Sequence, residues 1–401
     1  GGLTFTFDCS AQNHVTSKLS FTVFYVKLYT EIHKPFSFRY KDLHVYQLEH
    51  PTQVLEWTSG NSVCVAGYSQ SKNEILELRL PLKLLADENK SLCAERDFKV
   101  SHGGFTDGPV RCLTHIPGTR CAVTNDGLSS DLQVWDLGGE ESDVIRRTGS
   151  IKGKRSASER GSRIAARPSS APQVLHGAQI SDVQLTELAS GETLYKLETD
   201  SADPLSSLQF VSDTVFLAGC CNGSVYVADT RTSAPPQLSH SPSSAESVIW
   251  WTDAAAGPHP SSRRVIRVSS SGQAVVSDLR NLGGAGCQAQ LDVQTPGRCS
   301  QVKVSWAPTL DDCISVSGFS GVVQIYNTRL WGAEPQEARP LFEHRGHAVS
   351  SQQTDDSVPT FVTSHIWHPE RPRTLLSAAS DGSVHVWDWV DPNRQGGSPT
   401  P

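Results

Sequence analysis

The sequence predicts an all-β chain, a single seven-bladed β-propeller closed by an N-terminal strand. Two observations carry this. The turn glycines Gly223, Gly272, Gly321 and Gly382 each head the same pattern. Two and four residues after them stand Val225 and Val227, Ala274 and Val276, Val323 and Ile325, and Val384 and Val386, with small, polar or aromatic residues between. That period of two marks a strand with one buried face. Before the same glycines, Leu375, Ile314, Val265 and Phe216 open a preceding strand, and Trp367, Trp306 and Leu208 mark an earlier one. One such unit of short strands cannot bury its faces alone, so it must stack on others of its kind, which a ring of blades achieves.

Seven units follow along the chain, at about 52–82, 96–138, 143–190, 192–231, 235–280, 286–330 and 340–389. Leu43 to Leu48 alternates as a strand should, and is expected to supply the outermost strand of the last blade, clasping both termini. Val54 to Leu80 offers three short strands, and Val123 to Asp136 carries the turn Asn125-Asp126-Gly127 before Leu132-Gln133-Val134-Trp135-Asp136. The unit at 143–190 is the weakest, with strands placed at 173–176 and 182–188. In the unit of Gly272 an Ala-, Gly-, Pro- and Ser-rich insert from Ala254 to Ser262 lengthens the first hairpin. Residues 40–391 are thus read as the propeller, with a basic, flexible insert at about 146–170. Residues 1–39 are read as an atypical, poorly ordered extension and 392–401 as a disordered tail.

Composition narrows the classes. The chain of 401 residues contains no run approaching the roughly 18 apolar residues that span a membrane. The apolar stretch Leu19 to Tyr29 is interrupted by Thr22 and Lys27 and lacks the flanks of a signal peptide. No methionine is present, so residue 1 is not expected to be an initiator. None of the ten cysteines forms a CxxC pair; Cys64, Cys121, Cys220 and Cys313 fall in strand-like runs and read as reduced thiols of a cytosolic or nuclear protein. A net charge of −7 argues against a general nucleic-acid binder.

The last unit is the best preserved. Gly346-His347 precedes Ser377, Asp381-Gly382 and Trp387-Asp388 at spacings that resemble a WD40 repeat. That resemblance makes His347, Ser377, Asp381 and Trp387 a structural tetrad. The histidine bonds the aspartate and the serine, and the serine or histidine reaches the indole. A Ser/His/Asp hydrolase would use the same residue types, but no GxSxG elbow occurs and the tetrad accounts for every spacing. His344/His347 and His365/His368 both read HxxH. Residues three apart on a strand face opposite ways, so no zinc site is expected. Gly149 to Arg155 falls one residue short of a phosphate-binding loop and ends in Arg where Ser or Thr should stand. No cofactor and no catalysis are expected.

The strongest feature outside the repeats is a run of basic residues. Arg146, Arg147, Lys152, Lys154, Arg155, Arg160, Arg163 and Arg167 stand against one acid, Glu159. The run reads as a solvated, mobile loop, or as a contact for an acidic partner or for RNA phosphates. No aromatic residue interleaves the charges, so base stacking is unsupported. Ser156 and Ser158 follow basic residues and could be phosphorylated, which would reduce the patch.

Longer strings point further. Val54-Leu55-Glu56-Trp57, Lys72-Asn73-Glu74-Ile75-Leu76, Glu95-Arg96-Asp97-Phe98-Lys99-Val100, His102-Gly103-Gly104-Phe105, Ser142-Asp143-Val144-Ile145, Val174-Leu175-His176-Gly177-Ala178, His344-Arg345-Gly346-His347 and His385-Val386-Trp387-Asp388-Trp389-Val390-Asp391 resemble the WD repeat-containing protein 73 family. The resemblance runs from about Tyr40 to Asp391. Residues 1–39 depart from the family, whose members begin with a short acidic segment. The resemblance implies a non-catalytic scaffold that binds proteins. Its implied partners are subunits nine and eleven of the Integrator cleavage module, which processes small nuclear RNAs, and microtubule-associated factors. It also implies a cytoplasmic location, with spindle poles in dividing cells and a nuclear pool. Two other readings are weighed. A substrate receptor of a cullin-type ubiquitin ligase needs a WD-x-Arg box; Asp229-Thr230-Arg231 and Asp278-Leu279-Arg280 hold the Asp-x-Arg without the tryptophan. An RNA-binding module would use the basic run.

Overall fold

The computed structural model describes residues 3–7, 19–23, 40–67, 73–81, 98–153, 161–167, 169, 171–243, 248–255, 263–284, 286–293, 302–347 and 360–391. Seven antiparallel sheets form the blades of a β-propeller. Blade 1 is built from Thr52–Ser59, Ser62–Gly67, Asn73–Arg79 and Lys99–Thr106, from the innermost strand outward. Blade 2 comprises Cys112–His115, Cys121–Asn125, Leu132–Asp136 and Arg146–Ile151; blade 3, Arg163–Ala166, Gln173–Gly177, Gln184–Glu187 and Thr193–Lys196. Blade 4 uses Leu205–Phe210, Val215–Cys220, Val225–Asp229 and Gln237–Ser239. Blade 5 has Trp250–Ala254, Arg264–Ser269, Gln273–Asp278 and Cys287–Leu291, and Glu337–Ala338 adds a fifth, parallel strand. Blade 6 comprises Lys303–Trp306, Cys313–Ser317, Val323–Asn327 and Phe342–His344. Blade 7 has Val362–Trp367, Thr374–Ala379 and Ser383–Trp389, and its outer strand is Tyr40–Gln47, paired antiparallel along Ser383–Trp389.

The sequence units and the blades are offset by one strand. Each unit from the second onward joins the outer strand of one blade to the three inner strands of the next; the unit at 96–138 holds Lys99–Thr106 of blade 1 with three strands of blade 2. The basic run at 146–170 differs from the expected single loop. Arg146–Ile151 is the outer strand of blade 2 and Arg163–Ala166 the innermost strand of blade 3. The first hides its strand character because five of its six residues are exposed, and the second because it is only four residues long. Within residues 1–39, Leu3–Phe7 and Leu19–Val23 pair as a two-stranded antiparallel sheet; the rest of that segment lies outside the described residues. The expected tail, 392–401, lies outside the described residues.

Apolar clusters fill every junction between neighbouring blades. Trp251, Ile266 and Val276 meet Trp306, Ile314 and Tyr326 between blades 5 and 6, for example, and Leu55, Val65 and Leu78 meet Leu376 and Val386 between blades 1 and 7. Side chains of the innermost strands add a polar seam. Glu56 of blade 1 accepts the backbone N–H of His115 in blade 2 at 3.2 Å, and Asp253 of blade 5 accepts that of Trp306 in blade 6 at 2.7 Å. Indoles reach the opposite way: Trp306 to the carbonyl of Asp253 at 3.3 Å, Trp367 to that of Ser305 at 3.3 Å, and Trp57 to that of Trp367 at 2.7 Å. The tryptophans that recur in the sequence thus tie blade 6 to blade 5 and blade 7 to blade 6, and Trp57 ties blade 1 to blade 7. There the Thr363 hydroxyl also donates to the carbonyl of Thr52.

Candidate functional site

In blade 7 the four tetrad residues come together as one relay. The Trp387 indole N–H donates to Ser377 Oγ at 3.1 Å, and Ser377 Oγ lies 2.8 Å from His347 Nε2. His347 Nδ1 lies 2.8 Å from Ser383 Oγ, which in turn donates to Asp381 Oδ1 at 2.6 Å. Asp381 also accepts the backbone N–H of Ser383, so the carboxylate fixes the turn and anchors the relay. Ser383 was not among the expected members; its signal was its place directly after the turn glycine, shared with Ser224. Ser377 and His347 are fully buried and the serine oxygen is spent between an indole and an imidazole, so no substrate reaches it. The relay braces the blade.

Two further histidines join it, which corrects the argument that His344 and His347 face apart. The strand ends at His344, and the chain turns at Arg345-Gly346, bringing His344, His347 and His385 within 4.8 Å of one another. The turn requires glycine, since a Cβ on residue 346 would stand 2.8 Å from the His344 ring and 2.9 Å from that of His385. The Tyr40 hydroxyl, from the strand the chain start contributes, lies 2.8 Å from His344 Nδ1, and His344 Nε2 lies 2.9 Å from His385 Nδ1. Burial holds all three imidazoles well below their ordinary pKa, so they are neutral. Neutral imidazoles are the form that binds a metal, but the arrangement does not suit one. His347 and His385 stack at 3.7 Å with ring planes 13° apart, so their lone pairs run parallel instead of converging. Both His347 nitrogens are already held by serine hydroxyls. The other HxxH pair divides its work. His365 bonds Ser315 at 2.7 Å and Ser317 at 2.6 Å in blade 6, while His368 Nδ1 accepts the N–H groups of Glu370 and Arg371.

Two buried charges escaped sequence reading. Glu77, 2% exposed, accepts from Thr58 at 2.5 Å, from both Nη groups of Arg120 at 2.9 and 2.7 Å, and lies 2.6 Å from His102 Nδ1. Against the cost of burial, these bonds hold its pKa at about 2. Arg120 also donates to the carbonyls of Leu137 and Gly138, so the cluster locks blade 1 to blade 2. Arg267 occupies in blade 5 the place of Ser377, and Ser277 that of Trp387. Its buried guanidinium donates to Ser277 and to the carbonyls of Gly223, His240 and Leu282. Burial lowers its pKa to about 10. No sequence pattern announces either charge, because the groups that bond each come from distant points along the chain.

The basic residues are distributed over two blades. Arg146 and Arg147 stand on the exposed outer strand of blade 2, and Lys152 follows it. Arg147 pairs with Asp107 at 2.8 Å and Lys152 with Asp131 at 2.7 Å, while Arg146 donates to the hydroxyl of Ser142. Arg163 lies on the innermost strand of blade 3 and donates to the carbonyl of Leu205; Arg167 donates to Gln173 and covers the Phe210 ring. Lys154, Arg155 and Arg160 lie outside the described residues. The Asp-x-Arg pairs fold back on themselves: Arg231 grips Asp229 with two bonds at 3.0 and 2.6 Å, and Arg280 grips Asp278 at 3.0 and 2.7 Å.

No protein-family profile matches the chain. Curated relatives do. The chain is 51% identical over 358 residues to the Integrator complex assembly factor WDR73 of Danio rerio, covering 88% of this chain and 94% of that protein. It is 41% identical over 360 residues to the protein of the same name in Xenopus laevis, covering 88% and 96%. Against the Homo sapiens protein, again of that name, the identity is 40% over 364 residues, covering 88% and 95%. A propeller braced by buried hydrogen bonds, at this identity over nearly the whole length of named assembly factors, is a non-catalytic scaffold, and the chain belongs to the WDR73 family of WD-repeat proteins.

Proposed function

We propose that this chain is an assembly scaffold for the Integrator complex, holding its cleavage module through subunits nine and eleven. The observation that carries the reading is the shared name of the relatives, Integrator complex assembly factor, at 40–51% identity across 88% of the chain. The fold supplies what a scaffold needs: a braced ring whose exposed strands and loops can carry contacts without disturbing the core. Spindle-pole and microtubule-associated partners, and a cytoplasmic location with a nuclear pool, are proposed on the family resemblance. One experiment addresses these together. The chain is tagged at its own locus, imaged through division, and purified from interphase and mitotic cells. Integrator subunits nine and eleven are expected to copurify; their absence from both preparations overturns the scaffold reading, and absence of signal at spindle poles overturns the second role.

A further inference from the structure

The outer strands of blades 1 and 2 are joined into one wall. The backbone of Gly103, in Lys99–Thr106 of blade 1, donates to the carbonyl of Asp143 at 2.9 Å and accepts from the N–H of Ile145 at 2.8 Å. This bridge sets Val144, 47% exposed, beside the strand that carries Phe105, 49% exposed. Arg146 and Arg147 follow at once, and Arg147 reaches back to Asp107, two residues beyond Phe105. An exposed aromatic ring, an exposed valine and two arginines thus share one patch, the composition that concentrates binding energy at protein interfaces. From this patch Arg146–Ile151 runs outward, paired on one side with Leu132–Asp136 and with no strand on its other side among the described residues. The outer strand of blade 5 differs, being covered by Glu337–Ala338.

We propose that this wall docks an acidic, extended segment of a protein partner, which lies along Arg146–Ile151 as an added strand and seats an apolar side chain against Phe105 and Val144. The proposal rests on the scaffold reading and names the surface that serves it. Charge complementarity selects the occupant. Arg146, Arg147 and, just past the strand, Lys152 give this edge three bases and no acid within Arg146–Ile151; Asp107 and Asp131 pair with two of them, and the Arg146 guanidinium is held by a hydroxyl where a carboxylate could bind it. An unpaired strand edge selects an extended conformation, because it offers a row of backbone donors and acceptors. Basic residues and the register shift at Val134/Trp135 are also devices that keep an edge from pairing with its own kind. A guarded edge has no use for two exposed apolar side chains beside it. RNA fits less well, since the wall offers one aromatic ring for stacking.

The test uses the full chain and the purified heterodimer of Integrator subunits nine and eleven, measuring affinity across a salt series. Arg146→Glu/Arg147→Glu is expected to weaken binding by roughly tenfold or more and to flatten its salt dependence. Phe105→Ser/Val144→Ser is expected to weaken binding without changing the salt slope, and Leu194→Ser/Lys196→Glu, on the outer strand of blade 3, to bind as wild type. Thermal melts establish that each variant is folded. Wild-type affinity in both wall variants overturns the proposal while leaving the scaffold reading intact; no binding by the wild-type chain overturns both. Self-association of the arginine variant with unchanged heterodimer affinity shows the arginines to be edge guards and overturns the proposal. So does loss of binding to a single-stranded RNA oligonucleotide with heterodimer affinity unchanged.

Discussion

Glu77 is 2% exposed yet stays ionised, because Thr58, His102 and Arg120 supply the hydrogen bonds that water would have given. Removing one member of such a set leaves the others buried and unsatisfied, which costs more than the set itself contributes. Glu77→Gln is therefore expected to lower stability by about 2 kcal/mol, below the usual figure for a buried pair because the Arg120 side chain is 41% exposed. A shift in the urea midpoint with an unchanged slope checks it; a wild-type midpoint shows that the cluster is ornamental. None of its four members stands out in the sequence, since Thr58, Glu77, His102 and Arg120 come from three strands and a turn. His347, Ser377, Asp381 and Trp387 were legible because one repeat pattern places them all. Ser383 had a signal in its place after Gly382, while His344 and His385 needed the turn at Gly346 to be seen.

At the scale of single elements, most inner strands were legible and most outer ones were not; Leu43 to Leu48 is the exception among the outer strands and Arg163–Ala166 among the inner. Strands whose valines alternate with other side chains, such as Val225–Asp229 and Ser383–Trp389, write their period into the sequence. Arg146–Ile151 and Thr193–Lys196 are edge strands with mostly exposed side chains, so nothing constrains their pattern and the former read as a loop. Blade 7 also gathers an unusual density of buried imidazoles, and this makes stability depend on pH. His344, His347, His365 and His385 are held well below 6.5, and His176 at about 4. The unfolded chain protonates all five below about 6.5 while the folded chain does not, so their contribution is lost as pH falls through that value. Burial raises Glu56 and Asp253 to about 7, so these two keep their protons in the folded chain and oppose the trend between about 4.5 and 7. Five protons outweigh two. The urea midpoint is expected to change little between about pH 7 and 8 and to fall from pH 6.5 to 5, as stability drops by the order of 1 kcal/mol per pH unit for each uncompensated proton. A midpoint that holds or rises on acidification contradicts this.

For the whole molecule, each innermost strand touches the next around the ring, and Val362–Trp367 of blade 7 meets Thr52–Ser59 of blade 1. The bonds from Trp57 and Thr363 cross that last junction, and Tyr40–Gln47, which leads into blade 1, pairs with Ser383–Trp389 of blade 7. We propose that the pairing keeps the ring shut. Deleting residues 41–50 is then expected to lower the melting temperature far more than deleting 1–35, which spares every strand of the propeller; equal melting temperatures for the two truncations refute it. The number and order of the blades were legible because a repeat needs only one clear copy to reveal its fellows. The way neighbouring blades are fastened was not, because Trp57, Arg120 and Arg267 each answer to a partner in another repeat.

The origin of the seventh blade's outer strand also sets a timetable. Tyr40–Gln47 leaves the ribosome long before its partner, Ser383–Trp389. Until that partner emerges the early strand waits without it, while synthesis proceeds at roughly 5–20 residues per second. Blades 1 to 6 can condense in turn as they emerge, but the last sheet cannot be completed until Ser383–Trp389 has followed. A chain that stops even one strand early therefore releases a string of blades whose first strand never meets its mate, a species prone to aggregation and suited to capture by chaperones.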